Sequence, residues 1–163
     1  MWSWAVQKAK ELHRRHPGLS HPPVNVEALA EAEGLEWMRW PFKGSVVEAK
    51  QGRYIGVAEQ VEGAQQRYLI AHAVGHHLMH VGNQLSFYHQ QFGVRGREER
   101  EADTCAAHVL MPEEELGKVI AYMTVWEIAE HFDVPVELAQ LRITEFATEE
   151  EIAHWEALVD FIP

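Results

Sequence analysis

The stretch Ile70-Ala71-His72-Ala73-Val74-Gly75-His76-His77-Leu78-Met79-His80 decides how this 163-residue chain folds and what it can bind. On a helix with about 100° per residue, His72, His76 and His80 fall within about 80° of one another. The larger apolar side chains of the same stretch fall between about 160° and 260° on that wheel. The pattern therefore predicts a helix over residues 64–81 with an apolar stripe for the core and a separate stripe of imidazoles.

The pair His72 and His76 has the spacing of metal ligands. Two imidazoles one turn apart on one face can converge on a single cation at about 2.0–2.1 Å, the usual Zn–N distance. The spacing alone is a weak signal, because such a pair is also typical of a helix surface or of one satisfied core histidine beside a solvated one. A third ligand would decide between these interpretations.

A carboxylate that can complete the set lies downstream. Residues 97–111 predict a helix ended by a proline, and on it Glu99 and Asp103 share one face, whereas Glu98 and Glu101 point elsewhere. The alanines that flank this pair allow the helix to pack closely on another. The alternative interpretation is a solvated face of Glu and Arg joined by i,i+4 pairs.

The rest of the chain predicts an α+β fold that is mostly helical. Short β-type runs between residues 35 and 58 predict a small sheet or meander, and residues 84–96 predict a loop. We expect one domain over residues 1–118 and an acidic helical extension over 119–163 that packs on it. The extension contains a helix-turn-helix-like pattern that begins with a capping box, and its expected core contacts are Trp126, Ile128, Leu138 and Leu141.

Charge argues against nucleic-acid binding. The formal net charge is −11, from 14 Lys and Arg against 25 Asp and Glu. Residues 119–163 hold ten acids and a single base, Arg142, so the helix-turn-helix-like pattern lacks the basic residues that phosphates require. We therefore expect a partner other than nucleic acid.

Hydropathy and cysteine content set the expected compartment. No apolar run approaches the ~18–20 residues that span a bilayer. The first ten residues lack the layout of a signal peptide. The single cysteine, Cys105, fits a reducing compartment. These features predict a cytoplasmic protein without membrane association, with its oligomeric state open.

Two segments resemble a known family. RYLIAHAVGHHLMH (67–80) resembles the active-site helix of the ImmA/IrrE-type metallo-endopeptidases, and EEREADTCAAHVLMP (98–112) resembles their third-ligand helix. The flanking segments PPVNVEALAEAEGLEW (22–37) and WEIAEHFDVPVELAQLRI (126–143) are similar to the family as well. The resemblance covers residues 20–145 and implies a gluzincin-like metallopeptidase core.

The resemblance implies a zinc site with an HExxH-type helix. Carried over by position, His72, His76 and Glu99 are the metal ligands, and Asp103 orients a ligand imidazole. His80 matches a histidine that is often found one turn past the motif, and it is expected beside the ligands or facing substrate rather than on the metal. Zinc is the expected ion, and manganese or iron(II) also suits two imidazoles and a carboxylate.

This chain departs from the family at Ala73, where the family has the glutamate that serves as general base toward the attacking water. Alanine cannot accept a proton, and losing a positioned base typically costs about 10²–10⁴-fold in rate. His77, Glu98 and Glu101 are poor replacements by direction or distance. Two explanations follow, an engineered inactive variant or a natural pseudoenzyme, and the otherwise complete metal site favours the first.

The family's role then implies the function. Its members cleave or inactivate helix-turn-helix transcriptional repressors in stress, phage or mobile-element circuits, and this chain is expected to be inactive or strongly impaired. Tyr88, His89 and Tyr122 are candidates for stabilising the oxyanion. The alternatives are a non-catalytic, zinc-containing regulator that binds its partner in the same groove, and a site where zinc occupancy controls folding.

Overall fold

A computed structural model of the chain describes residues 3–87, 92 and 96–159. Its fold is α+β and mostly helical, as predicted. The elements, in chain order, are α1 (Ser3–Arg15), α2 (Val26–Ala32), β1 (Glu36–Trp40), β2 (Val46–Gln51), β3 (Tyr54–Ala58), α3 (Gly63–Met79), β4 (Gln84–Phe87), α4 (Arg97–Leu110), α5 (Glu113–Gly117), α6 (Val125–Phe132), α7 (Val136–Thr144) and α8 (Glu149–Val159). Among the described residues, no helix has the length and apolar character needed to cross a membrane.

The sheet has four strands in the order β1-β3-β2-β4 and is mixed. Strand β1 runs parallel to β3, while β2 is antiparallel to both β3 and β4. The expected meander over 35–58 is therefore incomplete, since residues 84–87 form an edge strand where a loop was predicted. The alternation in β4 is inverted: Ser86 is buried and Leu85 is half exposed. A polar residue facing inward gives no strand signal in the sequence.

Helix α3 is the centre of the molecule. Its residues 67–76 are all buried, because the sheet and α2 pack on one side and α4 packs on the imidazole side. The helix ends at Met79, two residues before the predicted end, and Val81 is 99% exposed rather than part of the apolar stripe. Helix α4 packs on α3 more extensively than any other element does.

Two helices of the extension, α6 and α8, begin with a capping box. Thr124 and Glu127 make the predicted capping box at the start of α6. Ile128 and Leu138 are buried as expected, but Trp126 is 69% exposed, so its expected packing on the core is wrong. The reason is positional: α6 turns its other face toward the core, and Trp126 is left on the rim of a groove.

Arg142, the single base of the extension, is fully buried rather than displayed on a recognition helix. Its guanidinium forms a bidentate ion pair with Glu151, which is also fully buried, and donates to the carbonyl oxygen of Met111 at 3.2 Å. Glu151 in turn accepts from the backbone N–H of Thr148, in a second capping box that begins α8. This network links α7, α8 and the end of α4.

Candidate metal centre

Three side chains from α3 and α4 converge on one point. The Nε2 atom of His72 lies 3.1 Å from Nε2 of His76 and 3.2 Å from Oε2 of Glu99. The Nε2 atom of His76 lies 3.0 Å from the other oxygen of Glu99. Both imidazoles are buried, and the Glu99 side chain is 19% exposed. Among the described residues, this is the group that can hold a metal ion.

The separations between these donors fit a tetrahedral cation. Zn–N bonds of about 2.0–2.1 Å at tetrahedral angles place two donors about 3.3–3.4 Å apart, close to the 3.0–3.2 Å found here. The set offers two imidazole nitrogens and one carboxylate, and Glu99 is partly exposed on one side of it. Three protein ligands with an open fourth position are typical of catalytic rather than structural zinc sites.

Asp103 fixes the orientation of His72. One carboxylate oxygen accepts the Nδ1–H of His72 at 3.0 Å and the hydroxyl of Tyr68 at 2.6 Å, and Asp103 is fully buried. With Nδ1 protonated, the Nε2 atom of His72 faces Glu99 and His76. Burial lowers the pKa of His72, but the hydrogen bonds to Asp103 and Glu99 outweigh it and raise that pKa to about 10.

The other two donors have shifted pKa values as well. Burial raises the pKa of Glu99, yet the hydrogen bonds from His72 and His76 hold it well below its usual range. Burial lowers the pKa of His76, and the nearby His72 adds to that shift. In the metal-free site these shifts favour the ionised form of Glu99, the protonated form of His72 and the neutral form of His76.

The departure at position 73 leaves the site without the family's proton acceptor. Ala73 is fully buried on α3, next to His72. His77 is exposed, and its pKa is lowered by partial burial and by Lys50 of β2, so it faces the sheet side of the helix. Glu98 is exposed to solvent. Neither of these two residues reaches the position that a glutamate at 73 would occupy.

His80 and Glu101 lie beside the centre and contact each other. Nδ1 of His80 lies 2.9 Å from Nδ1 of His76, and Nε2 of His80 lies 2.9 Å from Oε2 of Glu101. Glu101 is 8% exposed. Glu101 stands about 200° around α4 from Glu99 and Asp103, so it lies off the face that holds these two and contacts His80 instead. The helical wheel missed this contact, since His80 lies beyond the end of α3.

The proposed oxyanion stabilisers remain predictions. Tyr88 and His89 lie outside the described residues. Tyr122 follows α5 in a turn, where its backbone N–H donates to Val119, and its side chain is 70% exposed. Tyr68, which sequence reasoning did not single out, is the tyrosine that contacts the centre, through Asp103 and, at 3.4 Å, through His72.

A groove of about 860 Å³ extends from Tyr68. One wall is the sheet, with Val47, Ser86 and Phe87; the other is the extension, with Trp126 and further residues of α6 and α7 (Val125, Val136, Glu137, Gln140 and Leu141). The lining is mostly apolar. Tyr68 lines the groove and also donates its hydroxyl proton to Asp103, so the groove lies two side chains away from His72.

The comparisons with known proteins agree with this geometry. A family model described as the IrrE N-terminal-like domain, Peptidase M78, matches residues 30–144. Searches of curated proteins and of solved structures found no significant match. The matched region spans well over half of the chain and contains α3, α4 and the α6–α7 pair. Members are metallopeptidases, so the substrate class is protein or peptide. The chain belongs to the IrrE N-terminal-like (Peptidase M78) family, and the resemblance to ImmA/IrrE-type metallo-endopeptidases is confirmed.

Proposed function

We propose that this chain is a zinc-dependent metallo-endopeptidase scaffold that recognises one protein partner, a helix-turn-helix repressor, and whose hydrolytic activity is strongly impaired by alanine at position 73. The observation that carries the proposal is the convergence of the donor atoms of His72, His76 and Glu99 on one point. An apolar groove lined in part by Tyr68, which contacts Asp103, lies nearby.

The proposed ligands of the cation are His72, His76 and Glu99. When bound, a zinc ion supplies Lewis acidity toward the scissile carbonyl and toward water. The chain's own contribution is to orient the ligand side chains and to exclude water from them. Asp103 holds His72 in the tautomer that presents Nε2, and the burial of both imidazoles keeps the donors in a low-dielectric setting. Manganese or iron(II) would suit the same donors.

The missing step is proton transfer. In an active family member, a glutamate at position 73 takes a proton from the attacking water and passes it to the leaving amine. Ala73 has no group for either transfer, and His77 and Glu98 face away. We infer that substrate binding is preserved while turnover falls by about 10²–10⁴-fold or more.

The groove and the extension support a protein partner. Strand β4 is the last strand of the sheet, so an extended segment can lie alongside it with its apolar side chains in the groove. Over residues 119–159, Arg142 is the single base and is buried, so the exposed charged side chains of the extension are acidic, histidines aside. An acidic surface favours a basic partner, such as the DNA-binding face of a repressor.

Restoring the base tests the proposal. The zinc-loaded Ala73→Glu variant should cleave a helix-turn-helix repressor offered as substrate at least about 10²-fold faster than the chain as given. Ala73→Gln is the matched control, since it has the same size without a titratable group, and it should stay as slow as the parent. Equal rates for the Glu and Gln variants, with full zinc occupancy in both, would contradict the proposal.

The alternative function is a non-catalytic regulator that holds zinc and binds its partner in the groove. It is favoured by the position of Ala73 within the buried apolar core, where burying a carboxylate costs free energy unless it is hydrogen-bonded or paired. Tight, salt-sensitive binding of the repressor with no cleavage by either Ala73→Glu or the parent supports the regulator. Cleavage by Ala73→Glu supports the peptidase scaffold.

A further inference from the structure

A chain of hydrogen bonds runs from His76 away from the metal centre. Its Nδ1 lies 2.9 Å from Nδ1 of His80, and Nε2 of His80 lies 2.9 Å from Oε2 of Glu101. The other oxygen of Glu101 accepts from Nε of Arg97 at 2.9 Å. The side chains of His80 and Glu101 are only 5% and 10% exposed. A buried carboxylate is thus joined to His76 through a second imidazole.

The position of each proton follows from the carboxylate of Glu101, at the end of this series of hydrogen bonds. An ionised carboxylate only accepts hydrogen bonds, so Nε2 of His80 donates to Glu101. When Nδ1 of His80 accepts, the donor to it is Nδ1–H of His76. With its proton on Nδ1, His76 has the lone pair of Nε2 available for a cation held beside His72 and Glu99, as a metal ligand must.

We propose that Glu101, acting through His80, positions His76 for the cation, as Asp103 does directly for His72. Both are positioning residues and neither is a ligand. The inference rests on the proposed metal centre. It assigns a role to Glu101, and it explains why a third histidine follows His76 at the same four-residue spacing.

The end of α3 makes this contact possible. His80 is the residue that follows the helix, with extended backbone angles (φ −124°, ψ 151°), and its N–H still donates to the carbonyl of His76 at 2.8 Å. Its ring therefore leaves the path of the helix and reaches α4 while staying beside His76. The ring of Trp4 packs edge-on at 6.2 Å from that of His80. This cover limits competition from water, which strengthens the hydrogen bonds.

Metal affinity measured on the full chain tests the role of Glu101. Glu101→Leu removes the acceptor at similar size, and we expect Co²⁺ and Zn²⁺ to bind about 10–100-fold more weakly, with a changed visible spectrum of the Co²⁺ form. Glu101→Gln keeps an oxygen that accepts from His80, so its metal affinity should stay close to that of the parent. Glu98→Leu, an exposed position on the same helix, is the matched control and should bind as the parent does.

The outcomes separate the two proposals. A parent chain that binds neither ion overturns the metal centre itself. A parent that binds, with Glu101→Leu binding equally well, overturns the role of Glu101 alone. A second measurement needs no variant: long-range ¹⁵N NMR of the zinc-loaded parent should show the proton of His80 on Nε2, with Nδ1 of His80 unprotonated. A proton on Nδ1 of His80 would overturn the inference even if Glu101→Leu fails to fold.

Discussion

Gly75 of α3 lies directly against Ala102 of α4. A Cβ atom built at Gly75 would meet the carbonyl oxygen of Ala102 at 3.1 Å, its Cα at 3.2 Å and the Cβ of Cys105 at 3.3 Å. The absence of a side chain therefore sets how closely the two helices approach. That approach places Glu99 of α4 within 3.2 Å of the two imidazoles of α3.

Gly75→Ala should weaken metal binding more than it weakens the fold. Alanine favours a helix over glycine by up to about 1 kcal/mol, but two of the three contacts it would make are with backbone atoms, which cannot move alone. The helices must separate by a few tenths of an ångström, and Glu99 moves with α4. We expect metal affinity to fall by about tenfold or more, measured by competition with a chelator.

The matched control for Gly75 is Gly18→Ala. Gly18 has no atom within 4 Å of an added Cβ, and its φ is not positive. This variant should bind metal as the parent does. A Gly75→Ala variant with unchanged metal affinity would show that the spacing of α3 and α4 does not control the centre.

The sequence predicts the centre better than it predicts its surroundings. His72, His76, Glu99 and Asp103 occupy regular helix positions, so spacing alone places each on the correct face. The alanine-rich flank of α4 was also correctly expected to pack closely. The contact of Glu101 with His80 was not predicted, because His80 has left the helix, and wheel angles do not apply to a residue in extended conformation.

Asp103→Asn should lower metal affinity by about 10–100-fold. The carboxylate accepts the Nδ1–H of His72 inside the protein, and a neutral amide holds the imidazole less firmly in the required tautomer. Tyr68→Phe is the graded control, since it removes one donor to Asp103 and leaves the bond to His72 in place. We expect it to cost less than Asp103→Asn. The reverse order, measured by chelator competition, would contradict this role of Asp103.

Metal binding should release about one proton near neutral pH. The pKa of His72 in the metal-free protein is about 10, because the hydrogen bonds to Asp103 and Glu99 outweigh burial, so the cation must displace a proton from Nε2. Glu99 is already ionised, since its pKa lies well below the usual range. Affinity therefore rises with pH below about 10 and is lost as pH falls, by about tenfold per pH unit for one proton.

Calorimetry in two buffers with different ionisation enthalpies measures this proton directly. The observed enthalpy should change with the buffer by the amount expected for one proton per cation. In Asp103→Asn the hydrogen bond that raises the pKa of His72 is weaker, so fewer protons should be released per cation at the same pH. An enthalpy independent of buffer between pH 6 and 8 would show that His72 is neutral before the metal binds.

Strand β4 and the extension show what the sequence could not indicate. The inward Ser86 contacts Glu48, a buried carboxylate on β2, at 2.7 Å, and such a polar pair inside a sheet is invisible to hydrophobic patterning. The sequence does not indicate that Arg142 is buried, because its partner, Glu151, belongs to the next helix. Pairing between elements depends on how they pack, which composition does not encode.

Arg142→Met should destabilise the chain strongly. Arg142 and Glu151 are both fully buried, and removing the guanidinium leaves a carboxylate buried without its cation. Breaking such a pair from one side typically costs about 3–5 kcal/mol. The measurement is the free energy of unfolding from urea titration of the metal-free protein. Lys118→Ala, which breaks the exposed Lys118–Glu115 pair, is the control and should leave that free energy nearly unchanged.

The double variant Arg142→Met with Glu151→Leu tests whether the loss comes from the unpaired charge. Replacing both partners by apolar side chains removes the buried carboxylate, so most of the stability lost in the single variant should return. The part of the lost stability that does not return measures the contribution of the other bonds of the network, from Arg142 to the Met111 carbonyl and from Thr148 to Glu151. A double variant as unstable as Arg142→Met would assign the loss to those bonds and not to the ion pair.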